Sequence, residues 1–210
     1  AGGLLKDNIE QPSWNPLKTG TTILLARQFN RYQLYRQEEG DLSGTVNAFE
    51  LGVLYDNTDF PVNPSQGSSQ YLAYTFNPKW SDSGSQWDFI ELEASKYFSL
   101  GGNDFAKQNI IALNGWLGYS PSWQVITDDT GNTQVINHAP FLEGATLGGM
   151  YRMRGYRQNR FHDKAVIYAT AEYRMTLDYN PTEGVRWLKF LNLDWLQTVF
   201  YVEGGRELEK

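Results

Sequence analysis

The sequence predicts an all-β chain, a transmembrane antiparallel β-barrel or a large part of one. Three observations carry that expectation. Long segments alternate apolar and polar residues with period two. The 13 Tyr, 7 Trp, 11 Phe and 20 Gly stand on a mean hydropathy of −0.52, the mixture of a wall with one wet and one lipid face. And no run approaches the ~20 apolar residues of a membrane helix. A soluble β-sandwich shares the aromatic and glycine content, so composition alone leaves both open.

The extended segments fall at 20–36, 43–56, 68–80, 86–99, 106–120, 164–178 and 186–206, with residues 3–10 a possible eighth. Most are well beyond the ~5–6 residues of soluble strands, as expected where a wall crosses a bilayer at a tilt. Segment 20–36 begins apolar and becomes charged and aromatic through Arg27-Gln28-Phe29-Asn30-Arg31-Tyr32; a strand leaving the membrane and a bulge both fit. In 49–56, Phe49, Leu51, Val53 and Tyr55 alternate with Glu50, Gly52, Leu54 and Asp56. In 90–95, Ile90, Leu92 and Ala94 alternate with Glu91, Glu93 and Ser95. The clearest case is 165–177, where Ala165, Ile167, Ala169, Ala171, Tyr173, Met175 and Leu177 share the face expected to meet lipid. Val166, Tyr168, Thr170, Glu172, Arg174 and Thr176 take the other. Period two is the signature of a strand, not of a helix. Residues 121–163 form one long connection without a strong strand pattern, and connections of that length are usually functional. Trp80, Trp87, Trp116, Trp123, Trp187 and Trp195 are expected in two bands at the strand ends, because amphipathic rings prefer the headgroup level.

The net charge of −6 is spread along the chain and gives no nucleic-acid footprint. Without cysteine there is no disulfide framework, thiol chemistry or Cys-ligated zinc. His138 and His162, the two histidines, read as solvated loop residues. No cofactor or metal is expected, and no nucleophile elbow or metal-type cluster supports an enzyme. Ala1-Gly2-Gly3 lacks the basic start and apolar stretch of a secretory leader, so a leader removed or a chain cut from a longer protein is expected.

Two motifs stand out. In Tyr55-Asp56-Asn57-Thr58-Asp59 through Pro64 to Gly67, Asp and Asn accept hydrogen bonds from their own backbone and Pro fixes φ, which makes a polar turn. In Gly148-Gly149-Met150-Tyr151-Arg152-Met153-Arg154-Gly155-Tyr156, Gly155 lets the chain bend at positive φ and Arg154 can fork onto a carboxylate.

Taken in order, these motifs resemble the BamA/TamA superfamily of outer-membrane assembly barrels, the bacterial surface antigen family. They run on through Glu172-Tyr173-Arg174 and Tyr201-Val202-Glu203-Gly204-Gly205, so that the resemblance covers about residues 50–206. Asn57-Thr58 stands where Thr-Arg is common, and Glu203 where Asp is more usual. The resemblance implies that residues 1–210 are part of one barrel domain, sixteen-stranded in the family, integral to a bacterial outer membrane. It implies further that the 121–163 connection folds into the lumen, where Arg154 pairs with Glu172, Glu203 or both, Tyr156 packs on the inner wall, and the loop is a brace or a switch. The implied activity is non-enzymatic assembly, insertion or translocation by β-strand templating. The implied partners are outer-membrane lipids, nascent β-barrel or secreted proteins, and periplasmic accessory proteins. The competing reading is a barrel anchoring a fused lipase or phosphoesterase that lies outside this chain.

Overall fold

The computed structural model describes residues 20–35, 42–80, 85–140, 143–179 and 195–208. Seven long strands form one antiparallel meander. They are β1 Thr21–Tyr35, β2 Leu42–Asp56, β3 Gly67–Asn77, β4 Trp87–Asn103, β5 Ala106–Tyr119, β10 Ala165–Leu177 and β11 Gln197–Glu207, paired in that order. Among the described residues β1 and β11 do not pair with each other, so the sheet is open. Residues 3–10, and 186–194 of the last expected segment, lie outside the described residues. β1 runs in unbroken register with β2 from Thr21↔Asp56 to Tyr35↔Leu42, so segment 20–36 is a continuous strand without a bulge.

Register sorts the side chains into two faces. Leu72, Leu92, Leu117 and Ile167 stand opposite one another across β3, β4, β5 and β10, and all four are exposed. One step along, Tyr71, Glu93, Trp116 and Tyr168 form the matching row on the other face. A contiguous exposed apolar surface of this extent needs a non-aqueous neighbour or a partner.

The second face is covered by the 121–163 connection. Contrary to the expectation of no regular structure there, it holds four short strands. β6 Gln124–Thr127 pairs with β7 Thr133–Ile136, and β8 Thr146–Leu147 pairs with β9 Phe161–His162. The β6–β7 hairpin is closed by Asp128, whose carboxylate accepts from the Thr130 amide and hydroxyl and from the Asn132 amide. Ala139, Ala145 and Leu147 press into the sheet and share a buried cluster with Val46, Ala48, Trp87, Phe89, Trp116, Val166 and Tyr168.

That cluster corrects the expected tryptophan bands. Trp87 and Trp116 are 1% and 3% exposed, on the covered face. The reason is parity: Trp116 alternates with Leu117 and Trp87 shares its face with Phe89 and Glu91, so neither ring can turn outward. Trp80 does lie at a strand end, exposed, its ring tilted against Phe49 at 4.7 Å and its indole N–H donated to the Asn47 carbonyl at 2.8 Å. Trp187 lies outside the described residues.

Candidate functional site

At one end of the sheet, residues 57–66 join β2 to β3. Asp56 Oδ1 accepts from the Thr58 amide and hydroxyl, both at 2.7 Å. Asp59 Oδ1 accepts from the Ser65 amide at 2.9 Å, and its other oxygen from the Ser65 hydroxyl. Pro64 is buried. Gly67 has φ +101, and a Cβ there would meet the Asn57 carbonyl oxygen at 2.5 Å, so no other residue fits. The turn is a rigid polar knot.

The loop tip lies on the covered face of β4, β5, β10 and β11. Glu172 of β10 and Glu203 of β11 reach the same face because Glu203 pairs with Thr170, two residues from Glu172. Arg154 sits between them. Its Nη2 donates to Glu172 at 2.9 Å, its Nε to Glu203 at 3.2 Å, and its backbone N–H also goes to Glu203. The guanidinium lies 3.7 Å from the centroid of Tyr201. Tyr168 donates its hydroxyl to Glu203 at 2.8 Å, and Arg174 donates to the second oxygen of Glu172. Burial lowers the Arg154 pKa, but the hydrogen bonds it donates to Glu172 and Glu203 outweigh it and hold the group above the ordinary arginine value. The guanidinium stays charged and its partners neutralise it, which a half-buried cation requires.

Two neighbours behave differently from the sequence expectation. Gly155 has no positive φ, and a Cβ there would meet nothing within 4 Å. The bend is carried by Gly148, Gly149, Met153 and Asn159, all at positive φ. Tyr156 is half exposed and packs edge-on against Phe161 of the loop at 5.1 Å, a partner the sequence expectation did not name.

Three features were not anticipated. Arg152 lies over the Trp116 ring at 3.9 Å and donates to Glu93 at 3.1 Å. Glu143 forms an ion pair with Arg31 of β1. His138 and His162, expected in solvent, pack at steep ring angles against Trp123, at 5.4 and 5.3 Å, and edge-on to each other at 5.9 Å. Burial first, and His138 second, lower His162 to about 4.

The Omp85 superfamily domain model matches residues 16–195, most of the chain and all of the loop tip. The chain belongs to the Omp85 superfamily. Comparison with the curated proteins and with the solved structures returns no match. Omp85 membership places the chain with outer-membrane proteins that serve protein assembly or translocation in general, acting on nascent outer-membrane proteins and without enzymatic chemistry as a rule. Within this Omp85 domain the Arg152 contact was findable from parity. Trp116 and Glu93 both fall on the polar face of their strands, where an arginine two residues before Arg154 finds an aromatic ring and a carboxylate together.

Proposed function

We infer that this chain is part of a sixteen-stranded outer-membrane barrel that inserts or translocates other proteins. Its exposed apolar face meets lipid, and the 121–163 connection lies in the lumen. The observation that carries this reading is Arg154 shared between Glu172 and Glu203 on adjacent strands, a loop cation fixed to the wall by two carboxylates on one face. With the loop fixed, the wall is held in shape while a seam between terminal strands offers backbone hydrogen bonds to an incoming strand. The partners are then lipids, unfolded β-barrel or secreted chains, and periplasmic accessory proteins. No metal or cofactor enters the mechanism, which is positional. The Asp56, Asp59, Pro64 and Gly67 turn serves as a rigid stop at the other end of the β2–β3 hairpin.

The test is Arg154→Ala in the native protein. The barrel should still insert, client assembly should fall, and residues 124–163 should become protease-sensitive. Unchanged assembly together with unchanged protection sinks the reading. Cysteine scanning along 165–177 in membranes tests the wall itself: labelling by a water-soluble reagent should alternate, and uniform labelling removes the membrane assignment.

A further inference from the structure

Arg152 and Arg154 are one residue apart, yet they hold opposite sides of a four-strand span. Arg152 is bound by β4 and β5, Arg154 by β10 and β11. With neighbouring strands ~4.8 Å apart, the three gaps from β4 to β11 make about 14 Å. In an extended chain, side chains two residues apart point the same way. Met153 breaks that alignment with φ +62, a backbone state disfavoured for a residue with a Cβ. Its side chain packs against the buried cluster, and its carbonyl accepts from the Tyr156 amide at 3.0 Å. So the bend is fixed from below while the two arginines diverge.

The Arg152 seat is built before Arg152 arrives. The Trp116 indole N–H donates to Glu91 at 3.0 Å, which fixes the ring. Asn114 donates to one oxygen of Glu93 at 2.9 Å, and the other oxygen takes Arg152. A planar guanidinium can lie flat on a ring and donate in its own plane to a carboxylate at once; an ammonium is attracted to both but has no plane to stack.

We propose that Arg152 positions the Arg154 clamp, so that the two arginines act as one brace joining β4–β5 to β10–β11. Its role in client handling rests on the assembly function inferred above. Without Arg152 the tip keeps only Met153 below and Arg154 on the β10–β11 side, and the Glu172–Glu203 geometry loosens.

The experiment uses the native protein in liposomes, labelled with 5-fluorotryptophan, with the Trp116 resonance assigned by Trp116→Phe. R152A, R154A and the double variant are compared with R152K, and an unheated-gel shift checks that each barrel is folded. Each single variant should raise the rate of proteolysis in 121–163 on the order of tenfold. The double variant should exceed either one by less than about twofold, because coupled residues are not additive. R154A should also move the Trp116 resonance, although Arg154 does not touch that ring. R152K should recover most of the protection but not the resonance. A double-variant effect equal to the product of the singles, or a Trp116 resonance unmoved by R154A, overturns the proposal. Should R152A fail to fold, the cycle of R152Q with R154Q gives the same comparison. If the brace readouts change while client insertion does not, the brace stands and the assembly function falls.

Discussion

Two stretches of the same connection are held to the sheet by different forces. Ala139, Ala145 and Leu147 are held by burial, the first two fully buried and Leu147 2% exposed, with the Glu143–Arg31 ion pair beside them. Residues 150–156 are held by charge. Met150 and Tyr151 there are 86% and 91% exposed, and the arginines that follow supply the contacts. Beside this tip, between Tyr151 and the wall residues Ser95, Tyr97, Asn114 and Arg174, lies a cavity of about 300 Å³. The first stretch is a plug and the second is a strut. Burial is indifferent to salt and insensitive to direction, whereas ion pairs and stacked guanidinium groups are directional and screened. A plug sets whether the connection stays in, and a strut sets where its tip points.

The largest way to break that comparison is Leu147→Ala. It empties a site packed against Tyr168 and Val166 in the buried cluster, at a cost of about 2–5 kcal/mol. Denaturant unfolding should show this undiminished at high salt. A salt-dependent loss would mean that the plug is electrostatic after all.

Acid comes next. His162 is neutral in the fold, with its pKa lowered from 6.5 to about 4. The unfolded connection therefore binds the extra proton first. The stability His162 contributes is full above pH 6.5 and is lost as pH falls from 6.5 toward 4. The ceiling is about 3 kcal/mol, reduced in proportion to the solvent that reaches the half-buried ring. Glu143 works in the opposite sense, since burial raises its carboxyl against the pull of Arg31. His162→Gln should flatten the loss between pH 6.5 and 4 in a protection assay, and an unchanged slope would assign it to other groups.

Smaller again is the strut. Arg154 is 25% exposed at its side chain, so Arg154→Ala should lower global stability by about 1 kcal/mol, well short of a fully buried pair. High salt should mimic part of this at 150–156 and leave the buried Ala145 and Leu147 unaffected, as read by hydrogen exchange. Smallest of all, Asp128→Ala should open the largely exposed β6–β7 hairpin with no measurable effect on unfolding of the sheet, because hydrogen bonds from Thr130 and Asn132 are local.

The plug and strut were unequally legible in the sequence. The long strands were readable because period two persists through whole segments such as 165–177. The shared face of Glu172 and Glu203 follows from the same parity. The plug was not readable: β8 and β9 are two residues each, too short for any period, and Ala139 and Ala145 carry no signal of burial. The tryptophans were misplaced because a general preference of the residue type was allowed to override strand parity at Trp87 and Trp116. Gly155 was assigned a bend that Met153 makes, since a non-glycine residue at positive φ cannot be foreseen when tertiary contacts impose it.

The order of the strands has a consequence for how the wall comes together. Every ladder but one joins strands that are next to each other among the seven long strands and in the chain; only β5 and β10 must wait for a 45-residue excursion, from Ser120 to Lys164, to return. The entropy of closing that excursion grows only as the logarithm of its length, but it must be met before the first β5–β10 bond forms. Strands β1 to β5 can zip hairpin by hairpin, and β10 with β11 can form a second block. The junction of the two blocks is then the slow step, and the connection that packs its residues 139–147 across that junction is the element that shortens the search.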